Sequence, residues 1–92
     1  MVLLSCQGYD FAMENDKFQS VLGETIRELR QSEGIAQEKL ANLAEIDRTY
    51  MSAIERGLKN PSVKIIFQIA EGLGINPSEI IAELENRFNK PD

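Results

Sequence analysis

The chain has no histidine, no tryptophan and a single cysteine, Cys6, among its 92 residues. Without histidine it lacks the usual general base, the usual activator of a nucleophile and the commonest transition-metal ligand. One cysteine forms no internal disulfide and builds no cysteine-cluster metal site. No paired catalytic constellation stands out either, so no catalytic residue, metal ligand or cofactor is expected and the chain does not read as an enzyme. No apolar run approaches bilayer-spanning length. The apolar start Met1-Val2-Leu3-Leu4 is short and no positive stretch precedes it, so neither a signal peptide nor a membrane partner is expected and a cytoplasmic location follows. Bases are also scarce: 10 Lys and Arg stand against 15 Asp and Glu, a net charge of −5. Taken alone, that balance argues against a nucleic-acid partner, whose usual footprint is basic. The length allows one modest core and excludes a second catalytic domain.

What is present is helical periodicity. Phe18, Val21, Leu22, Ile26 and Leu29 form an apolar stripe that predicts a first helix over about Asp16 to Ser32, closed by Gly34 as a left-handed cap. A second helix is expected from Gln37 and a third from Arg48, with Asp47 placed to cap the third. Gly57 ends the third helix and residues 58–61 form a loop. Ser62 caps a fourth helix carrying Val63, Ile66, Phe67 and Ala70 and stopped by Gly74. Asn76-Pro77-Ser78-Glu79 then reads as the start of a fifth helix, carrying Ile80, Ile81, Leu84 and Phe88. The expected fold is all-α, a compact five-helix bundle. Its domain spans residues 16–88, between an N-terminal arm, 1–15, and a polar tail, 89–92. Met13 offers a natural start just before the first helix, so the arm is expected to be dispensable; the alternative is an arm that packs on a partner subunit or reaches along DNA, and the acids Asp10 and Glu14 disfavour the DNA version.

The informative stretch is QEKLANLAEIDRTYMSAIERG, Gln37 to Gly57. Leu40, Ala41 and Ala44 recur at helical spacing, and the period breaks at Glu45-Ile46-Asp47. Tyr50, Met51 and Ile54 then point one way, leaving Arg48, Thr49, Ser52 and Ala53 on another face. Two short helices joined by a turn of a few residues make a helix-turn-helix unit, whose second helix fits the DNA major groove. The outward set suits that groove. Arg takes two acceptors on guanine, Ser and Thr donate or accept, and a small methyl meets thymine. Charge is also unevenly distributed. From Arg48 to Lys64 lie Arg48, Arg56, Lys59 and Lys64 against one acid, Glu55, a local +3, while Glu71, Glu79, Glu83 and Glu85 gather near the C-terminus.

From Leu22 to Ile81, about two thirds of the chain, the sequence resembles the DNA-binding domain of the phage lambda repressor class, the Xre family. The resemblance rests on L-G-E-T-I-R-E-L-R, G-I-A-Q-E-K-L-A, Y-M-S-A-I-E-R-G, N-P-S-V and I-A-E-G-L-G-I, in that order and spacing. The run D-R-T-Y-M-S-A-I-E-R-G-L-K-N-P-S is similar to the controller proteins of restriction-modification systems. This resemblance implies a lambda-repressor-like domain that regulates transcription, acting as a homodimer on inverted-repeat operators in double-stranded DNA. The controller likeness adds autoregulation. The alternatives are an antitoxin or phage-type repressor, and a protein-interaction module of the same fold that does not read DNA. No small-molecule effector is visible. One departure is Glu45, at a turn position where the family often has glycine because the backbone there is left-handed.

The resemblance assigns Arg48, Thr49, Ser52 and Ala53 to base reading. It places Gln37 and the loop residues Arg56, Lys59 and Asn60 on the DNA backbone. Tyr50, also set among the backbone contacts, has two readings: a hydroxyl on a phosphate or base edge, or partial burial against the turn. The resemblance makes Arg30 and Glu55 a structural ion pair rather than DNA contacts. Ile80, Leu84 and Phe88, four residues apart on the fifth helix, exceed what one small core needs and are expected to form a dimer interface, the alternative being that this helix folds back on its own core.

Overall fold

Helix boundaries in this chain are written in its caps. The structure, a computed structural model, describes residues 15–89 and contains α1 (Asn15–Ser32), α2 (Gln37–Ala44), α3 (Arg48–Glu55), α4 (Val63–Leu73) and α5 (Pro77–Asn89), with no strand among these residues. The expected arm up to residue 14 and the end of the tail, 90–92, lie outside the described residues. At the start of α3 the Asp47 carboxylate accepts from the backbone N–H groups of Thr49 and Tyr50 at 2.9 and 3.3 Å, satisfying donors that a helix N-terminus leaves open. Ser62 Oγ accepts from Ile65 N–H at the start of α4. On α5 the Glu79 carboxylate reaches back to Asn76 N–H at 2.9 Å, half of a capping box.

The turn between α2 and α3 is closed by a left-handed residue, and that residue is Glu45, at φ 58° and ψ 45°. Its N–H and that of Ile46 return to carbonyls in the last turn of α2. The turn therefore has the shape a glycine would adopt, with an L side chain bearing the strain. A carbonyl of α2's last turn, that of Ala44, also accepts from Gln68 Nε2 of α4 at 2.8 Å.

The helices pack so that α1 touches α3 and α5, α2 touches α3 and α4, and α4 touches α5. Ile26, Leu40, Met51, Ile54, Ile69 and Ile80 are fully buried at the centre. Removing such a side chain from water contributes about 1.5–3 kcal/mol.

Two expectations are corrected here. Ile80 and Leu84 are buried within the chain's own core, and the Phe88 ring stacks on Phe18 with centroids 5.6 Å apart. Two of the three residues assigned to a dimer interface, Ile80 and Leu84, are thus spent inside one subunit, and Phe88 is half-buried against α1. The reason is that α5 folds back along α1, from Phe18 at one end to Glu28 at the other, beside the side of α1 that receives the end of α3. Conversely, Val63, Phe67 and Ile81, expected on the inner faces of α4 and α5, are exposed. On α4 the buried positions are Ile66, Ile69, Ala70 and Leu73.

Candidate nucleic-acid interface

The helix that would enter a groove is α3, and its orientation is set from behind by a buried carboxylate. Glu55, the last residue of α3, accepts from Arg30 Nε at 2.7 Å and Nη2 at 3.0 Å, and from Gln37 Nε2 at 3.1 Å. Arg30 belongs to α1 and Gln37 to α2, so one carboxylate ties three helices together. The third Arg30 nitrogen, Nη1, donates to the Ile35 carbonyl at 2.8 Å. Two-point pairing of this kind fixes orientation as well as distance. Gln37 is thereby placed at the head of α2 as a buttress of α3, with one amide N–H committed to Glu55.

With Met51, Ile54 and Glu55 turned inward, Arg48 and Thr49 are exposed and Ser52 half-buried on the outer face. Arg48 makes no hydrogen bond or ion pair with any described residue. Ala53 is a correction: it is buried, so its methyl is not offered to a groove. It sits at the edge of the outer face, where the chain folds over it as Leu58 N–H returns to the Ala53 carbonyl. Tyr50 is half-buried and its ring packs on the core, in keeping with burial against the turn.

Past α3, Arg56, Lys59 and Asn60 are all exposed on the loop, as is Lys64 on the first turn of α4. The loop is tied to α1: Gln19 Nε2 donates to the Gly57 carbonyl at 3.2 Å. None of Arg56, Lys59 or Lys64 pairs with an acid among the described residues. Because Glu55 is buried and neutralised by Arg30, the segment presents four positive charges outward, unpaired among the described residues, rather than the net +3 of its sequence. The chain's acidity is thus compatible with a basic face.

Three positioning residues escaped sequence reasoning. Gln19 and Gln68 hold backbone carbonyls of distant segments, and nothing in a local pattern marks a glutamine for that task. Gly23 left a signal, since a glycine inside a helical pattern often marks a close approach. A Cβ there would lie 2.3 Å from the Ile54 carbonyl oxygen, so the backbones of α1 and α3 meet directly at this point. Among the described residues no group of acidic or cysteine side chains is arranged to hold a metal, and no helix is long and apolar enough to cross a membrane.

A short helix held from behind, its outer face polar and its flanking loop basic, defines a DNA-binding regulator of the helix-turn-helix class. The chain belongs to the helix-turn-helix family, whose model matches residues 26–80. Within it, the chain is similar to control protein C.BamHI of Bacillus amyloliquefaciens, 39% identical over 62 residues that cover 66% of this chain and 76% of that protein. It is also similar to control protein C.MunI of a Mycoplasma species, 38% identical over 64 residues covering 68% and 86%. Among solved structures it resembles the restriction-modification controller protein C.AhdI from Aeromonas hydrophila, at 40% identity and a TM-score of 0.65 over 67% of this chain and 94% of that one. The controller protein C.Esp1396I, solved as a tetramer in complex with its natural 35 base-pair operator, matches at 32% identity and a TM-score of 0.73, over 79% and 96%.

Proposed function

We propose that this chain is a controller-type transcriptional regulator that binds inverted-repeat operators as a homodimer and acts on its own promoter. The observation that carries the reading is the set of four exposed bases, Arg48, Arg56, Lys59 and Lys64, on α3 and just past it, with no acid paired to them among the described residues. In this reading α3 enters the major groove. Arg48, Thr49 and Ser52 meet base edges, while Arg56, Lys59 and Asn60 follow the sugar-phosphate backbone. Gln37 acts through Glu55, with its remaining amide N–H directed at a phosphate near the head of α2. Tyr50 supports the turn with its ring. Likeness to the controller proteins and the operator complex of one of them support the assignment of partner and symmetry. The work done is binding in the cytoplasm, without catalysis or cofactor.

Footprinting on the DNA upstream of the chain's own gene is the test. Protection of two half-sites whose centres lie about 34 Å apart is the expected result. Affinity for that site and for random DNA should both fall steeply as salt rises, the random-site affinity from a much weaker start. Equal affinity for all sequences, or binding indifferent to salt, would overturn the reading.

A further inference from the structure

One face of α1 carries both the end of α3 and the loop behind it. Gln19, Gly23 and Arg30 are spaced by four and seven residues, so they share that face. Arg30 holds the Glu55 carboxylate, and at Gly23 the backbones of α1 and α3 meet. One turn earlier, Gln19 Nε2 donates to the Gly57 carbonyl at 3.2 Å. Gly57 is itself pressed against α1, since a Cβ on it would stand 2.9 Å from Ser20 Cα. The other ties of this loop are local. Gly57 N–H returns to the Ile54 carbonyl at 3.0 Å and Leu58 N–H to that of Ala53 at 2.9 Å, paired bonds that close the helix end around Gly57 at φ 77°. They fix the loop to its own helix only. At the far end Pro61 is buried and Ser62 caps α4, and between the two ends Leu58, Lys59 and Asn60 are exposed. Among the described residues, Gln19 is the one side chain that bonds this loop to another helix.

We propose that Gln19 is a positioning residue for DNA binding: by holding the Gly57 carbonyl it sets Arg56, Lys59 and Asn60 in the posture in which they follow a phosphate backbone. The proposal rests on the DNA-binding reading above and adds to it a residue that acts through the loop rather than on DNA. A loop that moves freely must be ordered when it binds, at a cost in entropy, and a loop ordered in advance avoids that cost. The side chains of Leu58, Lys59 and Asn60 lie in water, so packing does little to order them and the tether at Gly57 counts for more. Gln19 and Gly57 are both half-buried, so water can take over the Gly57 carbonyl when the amide is removed. The fold then loses little while the loop loses its hold on α1. Phosphate contacts carry no sequence information, and the base-reading face of α3 is oriented separately, by Arg30 and Gln37 through Glu55. Loss of the Gln19 amide should therefore weaken binding without changing which sequence is preferred.

Gln19→Leu keeps the bulk of the side chain and removes the donor, and Gln19→Asn keeps the amide on a stem one carbon too short. Both should retain the native circular dichroism spectrum. Each should bind the cognate and a random duplex about 2- to 10-fold more weakly, by the same factor on both, as the loss of one hydrogen bond predicts. The slope of log affinity against log salt should become shallower by up to about 1, the share of a single phosphate contact. A mere loss of folded protein would leave that slope unchanged. The decisive measurement is the cycle with Lys59→Ala, whose cost should be smaller in the Gln19→Leu background than in the wild type. Without any DNA, trypsin should also cut after Lys59 faster in the folded Gln19→Leu protein. Affinities equal to wild type, a changed base preference, an undiminished cost of Lys59→Ala or unaltered cleavage would each overturn the proposal while the wild type still binds. A wild-type protein that binds no DNA at low salt would overturn the DNA-binding reading, and this proposal with it.

Discussion

Arg30 grips Glu55 with two nitrogens, at 2.7 and 3.0 Å, across the junction where α1 supports the end of α3. The two partners are unequally buried, with side chains 12% and 2% exposed, and unequally provided for once the other is removed. Without Arg30, Glu55 keeps only Gln37 as a donor. Without Glu55, Arg30 still reaches the Ile35 carbonyl. Arg30→Met should therefore destabilise the fold more than Glu55→Leu, with the larger loss about 3–5 kcal/mol, and the double variant should be more stable than Arg30→Met alone. Denaturant melts of the three variants check the order. Equal and negligible losses would mean the pair does not hold α3.

Arg48 should distinguish bases, and the loop should not. Arg48→Ala is expected to cost about 1–3 kcal/mol on the cognate operator and much less on random DNA. Lys59→Ala should weaken both nearly equally and reduce the magnitude of the salt slope by about 1. Fluorescence anisotropy on the two duplexes over a salt series separates the roles. The Arg48 assignment fails if its variant loses equally on both.

Glu45 holds a left-handed backbone that costs an L residue roughly 1–2 kcal/mol. Glu45→Gly should raise stability by about 0.5–1 kcal/mol, the relief of strain being partly offset by the greater freedom of glycine in the unfolded chain. Glu45→Gln removes the charge while keeping the strain. Thermal melts should therefore move for the glycine variant and hardly at all for the glutamine one.

Gly23 should show the opposite sign from an ordinary helix glycine. Replacing glycine by alanine in an open helix interior gains about 0.8–1.0 kcal/mol. Here the new Cβ would lie 2.3 and 2.7 Å from the carbonyl oxygens of Ile54 and Glu55, backbone atoms that move only with α3. Gly23→Ala should instead cost about 1–3 kcal/mol and shift the end of α3, weakening operator binding. A melting temperature above wild type would show that the two helices have room to part.

The Arg87 guanidinium holds the Glu28 carboxyl below its ordinary value of 4.5, first through the hydrogen bond and then through its charge. A carboxyl whose folded value is lowered stabilises the fold above the unfolded value, and that contribution disappears as pH falls through the folded one. Glu28→Gln should lower the melting temperature slightly at neutral pH, and the difference should close on acidification from 4.5 downward. Glu28 is half exposed, its carboxylate paired at the surface, so the effect is small and should shrink with salt.

Sequence alone determined the features whose causes are local. The Asp47 and Ser62 caps, the Glu79 back-bond and the glycine stops depend on residues within one turn of each helix end, and they were legible for that reason. The helix-turn-helix unit was legible because its two periods and the break between them fall within 21 residues. Which neighbour of an apolar pair points inward was decided only by tertiary structure. Ile66-Phe67 and Ile80-Ile81 are adjacent apolar residues, and a helical period passing through either member fits the pattern equally well. The docking of α5 onto α1, sealed by Phe18 and Phe88, turns Ile80 inward and leaves Ile81 in water. Ala53 was misplaced for a related reason: on an eight-residue helix the limits of the outer face depend on how the chain after it folds back. The net charge of −5 misled as well, because charges count by where they lie and whether they are paired, and Glu55 is cancelled inside the protein by an arginine 25 positions away.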